Sequence, residues 1–389
     1  MLARSSVRGV LTMMIGALQS SVREHSRGAS ARGFRRSVLF SSAAATVFVG
    51  IIGCASITFG AAIVGRTRHV GLNPQPAMEL DVLKAKYRRP AFIPFPRENP
   101  YTPEKASLGK RLFFDTRLSL SSSQSCASCH SPGFSWGDGL SVGVGHGMVK
   151  LGRRSPSIVN TAWATTFMWD GRWESLEEQA LDPIQSAGEL NMPIERLMDR
   201  LASVAGYKLL FAAAFPDEGM NPKTLADAIA TYERTVVSDH APFDAWIEGA
   251  EGAIPEQAKR GFVIFNTKGR CASCHEGWSF TNDGFHDIGI PSDDPGRARQ
   301  LPQITKMNHA FKTPGLREIV RRGPYMHNGS IATLEEVVEH YDQGGIDRPS
   351  RSDLIGPLGL TSQEKVDLVA FLSTLTSNAA ATTVPVLPR

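Results

Sequence analysis

Five residues recur letter for letter in this chain: Cys126-Ala127-Ser128-Cys129-His130 and Cys271-Ala272-Ser273-Cys274-His275. Such a recurrence marks two copies of one structural unit. Each copy is followed by a Gly-aromatic-Ser stretch closing on Asp-Gly, at 133–139 and 277–284. Later segments then match at a constant offset of 158 residues. Ser155-Pro156-Ser157-Ile158 pairs with Thr313-Pro314-Gly315-Leu316, Asp170-Gly171 with Asn328-Gly329, and Ser175-Leu176-Glu177-Glu178 with Thr333-Leu334-Glu335-Glu336. The last pair are Ser/Thr-x-x-Glu capping boxes, which open helices. Leu225, Ile229, Tyr232 and Val236 share one helical face, residues 364–375 carry the same period, and strand-like alternation is almost absent. The pattern predicts an all-α body in two tandem units, 101–245 and 250–380.

Two thiols three positions apart can add to the two vinyl groups of one haem, and the next residue, a His, is then placed to ligate the iron. Cys-x-x-Cys-His therefore reads as c-type haem attachment. Half a zinc site is the weaker alternative, because each copy offers three ligands where structural zinc takes four. A thioredoxin-like redox pair would need a strand-helix context that is missing. The expected cofactors are two covalently bound haems, held by Cys126 and Cys129 and by Cys271 and Cys274, with His130 and His275 as proximal ligands.

The N-terminus differs from the body. Seven arginines and one acid, Glu24, lie in residues 1–36, so a chain of net charge +4 has a body that is slightly negative. That body does not fit a nucleic-acid binder. Residues 37–64 then run 28 positions without a charge, longer than a bilayer's hydrocarbon core requires. Basic residues before the run keep that side cytoplasmic. The segment 37–65 is thus expected to be a membrane anchor or an export signal, and the body periplasmic, tethered to the inner membrane. Ile51-Ile52-Gly53-Cys54 also resembles a lipoprotein cleavage box, and a buried soluble helix is the third alternative. Pro90, Pro94, Pro96 and Pro100 mark residues 66–100 as a linker without regular helix. The Ala/Thr/Pro tail after Ser377 is expected to fray.

The helix opened by Thr333 carries Leu334, Val337, Val338 and Tyr341 at i, i+3, i+4 and i+7, so Tyr341 faces inward. Its phenol is a candidate iron ligand, against the plainer reading of a core tyrosine. The equivalent position in the first copy is Pro183, which cannot ligate iron. One filled haem and one haem with an exchangeable site is the arrangement of an enzyme that binds a small oxidant.

Phe167-Met168-Trp169-Asp170-Gly171-Arg172, Leu176-Glu177-Glu178-Gln179-Ala180, Pro183-Ile184-Gln185 and Gly323-Pro324-Tyr325-Met326-His327-Asn328-Gly329-Ser330, together with the two haem motifs, resemble the bacterial di-haem cytochrome c peroxidase and MauG family. The likeness spans nearly all of 101–376. It implies two cytochrome c-like domains, a peroxide site at the first haem and an electron-relay second haem. It also implies that Trp169 carries electrons between the haems, and that Gln179 and Glu189 line the peroxide pocket, Glu189 in acid-base chemistry. Tyr341 resembles the MauG branch. Gly145-His146-Gly147 resembles the cytochrome c peroxidase branch, in which the His caps the first haem until reductive activation. The family often binds calcium between its domains through an Asn; Arg154 stands in that place here, with the carbonyls of Arg322 and Pro324 the other contributors. The implied partners are hydrogen peroxide, a small electron donor (cytochrome or cupredoxin), or a protein or organic substrate. The competing classes are a non-catalytic di-haem electron carrier and a haem-based sensor.

Overall fold

The computed structural model describes residues 80–378 and 382–389. The basic region 1–36, the apolar run 37–65 and the start of the predicted linker lie outside the described residues. Among the described residues, no helix is long and apolar enough to cross a membrane.

Eleven helices are described: α1 (Leu80–Ala85), α2 (Pro103–Phe114), α3 (Cys126–Cys129), α4 (Leu176–Gln185), α5 (Ile194–Ala202), α6 (Ala205–Ala214), α7 (Pro222–Arg234), α8 (Pro242–Ile247), α9 (Glu256–Asn266), α10 (Leu334–Gln343) and α11 (Ser362–Ser373). The described extended pairing is a two-residue antiparallel ladder of β1 (Phe285–His286) on β2 (Phe311–Lys312). Long loops and single 3₁₀ turns make up the rest.

Each half is built on one helix crossing. In the first, α2 crosses α7; in the second, α9 crosses α11. Both crossings are close because a glycine sits at the contact. A Cβ on Gly109 would lie 1.8 Å from the Ala228 carbonyl oxygen, and one on Gly261 would lie 2.0 Å from that of Asp367. Helix starts follow the local chemistry. Thr102 and Asn221 cap α2 and α7 ahead of prolines at the first helical position, where the missing N–H costs nothing. Of the residues assigned to one face, Leu225, Ile229 and Tyr232 on α7 and Val236 just past its end are all buried. The cysteine turns come after α2 and α9 in their halves: α3 in the first, with a 3₁₀ turn at Thr116–Leu118 between, and a 3₁₀ turn at Cys271–Ser273 in the second.

The 158-residue offset holds in three dimensions. Both α4 and α10 are ten residues long, and Ser175 and Thr333 accept from the N–H groups of Glu178 and Glu336. The second core is the more aromatic, with Phe243, Phe262, Phe265, Phe280 and Phe371 packed at centroid separations of 5.1–6.0 Å.

Two expectations need correction. Residues 80–85 of the predicted linker form α1, and Leu83 and Tyr87 enter the second core. The prolines begin only at Pro90, so nothing opposes helix before it. Phe243, Trp246 and Ile247 of α8 pack in the second core. The tail does not fray throughout: at its far end Gly206 N donates to Arg389 O at 3.0 Å, and Arg117 to Pro388 O at 3.1 Å.

Candidate functional site

Two cavities open in the body, the first reaching across the junction of the halves. The first is lined by Cys126, Cys129 and His130 with Gln179, Pro183 and Glu189. The second is lined by Cys271, Cys274 and His275 with Tyr341, Met326 and His309. Tyr341 and its repeat mate Pro183 thus face equivalent cavities, as the offset requires.

The attachment turns are alike. His130 Nδ1 meets Trp136 O at 3.2 Å, and His275 Nδ1 meets Phe280 O at 3.0 Å. A ring that donates from Nδ1 keeps Nε2 as a lone-pair donor. Burial favours the neutral imidazole in both, pushing His275 down to about 4 and His130 below its ordinary value. Burial also raises the thiols, to about 11 at Cys129 and Cys274 and about 12 at Cys271, with Cys126 raised further. These four cysteines are free of disulfides. Protonated thiols are poor redox nucleophiles, so a thiol-disulfide role does not fit. Paired cysteines and a neutral imidazole with a free Nε2 around a largely apolar hollow do fit a covalently attached haem.

Trp169 lines both cavities. Its indole N–H donates to Arg154 O at 2.9 Å, and its own carbonyl accepts from Lys312 N at 2.9 Å. Side-chain and backbone bonds, one from each half, hold it between the two hollows.

In the first cavity, burial raises the Glu189 carboxyl, with Asp182 adding to the rise and Arg172 opposing it. Gln179 Nε2 lies 3.9 Å from Met168 Sδ. His146 is tied to the same wall: its N–H reaches the carbonyls of Gly188 at 3.1 Å and Glu189 at 2.8 Å. Gly145 lines the cavity, and a Cβ there would lie 1.9 Å from Gly188 O. The His146 ring is outside the cavity lining, with Nδ1 buried and unpartnered among the described residues. In the second cavity, burial raises the Tyr341 phenol, with Cys271 and Cys274 contributing. Of the two other side chains that could ligate the second iron, His309 lines this cavity too and Met307 is not part of its lining.

The place assigned to calcium holds a cation that belongs to the chain. Arg154 Nη1 donates to Arg322 O at 2.7 Å and also to Pro324 O. Those are the two carbonyls expected to contribute to calcium, and the guanidinium fills their cradle. Nearby, Arg153 joins the halves by pairing with Asp170 at 2.8 Å and Asp294 at 2.6 Å. Burial works against ionisation of Asp294, but the bonds from Arg153 outweigh it and hold that carboxyl at about 2.

Sequence reasoning missed Glu233. It lines the first cavity and is buried, with Oε2 unpartnered among the described residues. Its signal was present: Glu233 follows Ile229 by four residues, on the buried face of α7.

Comparison with known proteins agrees with this geometry. The family model described as di-haem cytochrome c peroxidase matches residues 103–252, and that of cytochrome c matches 258–376. The methylamine utilization protein MauG of Methylorubrum extorquens is 50% identical over 313 residues, covering 80% of this chain and 89% of that protein. Cytochrome-c peroxidase IdrP1 of Denitromonas iodatirespirans is 38% identical, covering 73% and 84%. A solved MauG-like protein associated with microbial copper homeostasis is 32% identical, covers 75% of this chain and 95% of that one, and superposes with a TM-score of 0.69. The chain belongs to the di-haem cytochrome c peroxidase and MauG family, oxidoreductases that act on peroxide with two c-type haems.

Proposed function

We propose that this enzyme works in the manner of the MauG branch, passing the oxidising power of peroxide to a protein or organic substrate instead of drawing electrons from a dedicated cytochrome donor. The observation that carries this reading is Tyr341 in the second cavity, with Cys271, Cys274 and His275. When bound, the two haems supply the iron that accepts oxidising equivalents from peroxide. A phenolate is a hard anionic donor and favours oxidised iron, where a thioether would favour reduced iron.

The chain's own residues divide the remaining work. Glu189 takes a proton from one peroxide oxygen and returns it to the other; its raised pKa suits a group that must both hold and release that proton. Gln179 orients the bound peroxide by hydrogen bonding. Pro183 keeps the equivalent of the Tyr341 position free of any ligand, so peroxide has room to bind. Trp169 gives electrons a short path between the cavities. His146 is a removable cap: its backbone is tied to Glu189, so swinging its ring inward would also disturb the acid-base residue. The body is periplasmic, and residues 37–65 anchor it to the inner membrane.

The test is Tyr341→Phe. The second haem is expected to become high-spin, and the oxidising equivalents that persist after peroxide is consumed are expected to be lost, while the first haem still binds peroxide. Absorption and EPR spectra unchanged in both oxidation states would overturn the assignment and make His309 the next candidate ligand.

A further inference from the structure

Charges taken out of water are paired, or their neutral forms win. The cations that line the first cavity mostly obey: Arg153 and Arg172 share Asp170, Lys312 pairs with Asp283, and Arg317 with Asp244. Arg154 and Arg322 also line it but have no carboxylate partner among the described residues. Their only bonded partners there are carbonyls. Arg154 Nη1 serves Arg322 O and Pro324 O, while Arg322 Nη1 serves Gly315 O at 2.6 Å and Arg317 O at 3.1 Å. Arg154 is 9% exposed, and its Nε is buried with nothing to donate to.

The two cations also work against each other. Burial lowers both guanidinium pKa values, and the neighbouring Arg154 lowers Arg322 further, to about 10. Asp138 offsets part of this at Arg154 and Glu318 at Arg322, but among the described residues neither acid is ion-paired with either arginine. Glu233 is itself held neutral by burial up to about 8, and neither it nor Glu189 is ion-paired with either arginine. Two like charges in one desolvated wall, with an unused N–H, make a site for an anion. A planar guanidinium fork suits a carboxylate best.

A haem attached at Cys126 and Cys129 brings two propionate carboxylates into this cavity. We infer that Arg154 and Arg322 form a cradle that binds one of these propionates at the junction of the two halves. The site couples to the path between the cavities, because Arg154 O also accepts the Trp169 indole N–H. Two cations beside the propionate keep it ionised and raise the iron's affinity for an electron. The inference rests on the two attached haems but not on the peroxide chemistry, so it is tested without peroxide.

The experiment compares the full-length holoprotein with Arg154→Gln, Arg322→Gln and the double variant, after checking that each keeps two covalently bound haems. Redox titration should show the first haem's potential lowered in each single variant and lowered further in the double. The potential should also become pH-dependent, because a propionate without its cations takes up a proton on reduction. The propionate bending band in the resonance Raman spectrum should shift in the same variants. Should the glutamine variants fail to fold, Arg154→Lys and Arg322→Lys carry the test: charge without the fork should preserve the potential and still shift the band. An unchanged potential and band with both guanidiniums removed would overturn the inference. So would a wild-type potential that moves when chloride or sulfate is added, which would make the occupant a free anion.

Discussion

Glu233 shows how much one buried group can hold. Its carboxyl is pushed from 4.5 to about 8 by burial, which the Arg234 charge only partly offsets. In the folded chain it is neutral up to about pH 8; in the unfolded chain it ionises above pH 4.5. Unfolding therefore releases a proton across that window, and stability falls as pH rises from about 4.5 to 8, then levels. The loss is of the order of 5 kcal/mol if the whole shift is expressed. Glu233→Gln keeps the shape and removes the titration. Guanidinium unfolding at pH 6 and 8.5 should show a smaller difference for Glu233→Gln than for the wild type; an equal difference would mean that Glu233 ionises freely in the fold. The same physics, at smaller scale, raises Glu189, whose proposed role needs a proton that can move at working pH.

The decisive element is the crossed helix pair of each half. It places the helix before the cysteine turn against the last helix of the half, and so sets where the cavity opens. A side chain cannot fit at either crossing. Gly261→Ala should force α9 from α11 and destabilise the protein by about 1–3 kcal/mol, as overpacking typically does. Gly109→Ala should do the same at α2 and α7. Gly252→Ala, whose Cβ would meet nothing within 4 Å, serves as the neutral control. The readout is the Tm of the holoprotein, and a Gly261→Ala variant as stable as this control would refute the close-packing account. The capped helices α4 and α10 show a second principle. Their starts are fixed by local hydrogen bonds, so the same scaffold presents Tyr341 in one half and Pro183 in the other.

At the scale of the whole molecule, fixed charges join the halves. Arg154 spans the boundary to Arg322 and Pro324, and Arg153 to Asp294. Because a guanidinium already occupies the carbonyl cradle, EGTA should leave the absorption spectrum and Tm unchanged, and added calcium should not raise Tm. A Tm lowered by EGTA and restored by calcium would mean that a cation bridges the halves elsewhere. The N-terminal run predicts behaviour of the complete chain. It should sediment with membranes and be released by detergent but not by high salt, since burial of apolar residues is not screened by ions. Release by salt alone would rule out the anchor.

Much of this was legible in the linear chain because its signals are local. The cysteine spacing, the capping boxes of α4 and α10, the α7 stripe and the pairing of Tyr341 with Pro183 each depend on residues a few positions apart, or on one exact repeat. Helix period and covalent attachment need no knowledge of distant segments. Other features required the packed fold. Tyr87 reaches a core that begins more than 150 residues later, where it contacts Phe243, Phe262 and Phe280. Arg154 looks like any surface arginine until residues 322 and 324 close over it, and Glu233 like any helix acid until the first cavity wall excludes water from it. Desolvation of a charge depends on which remote segments meet around it, and no local pattern in the chain encodes that meeting.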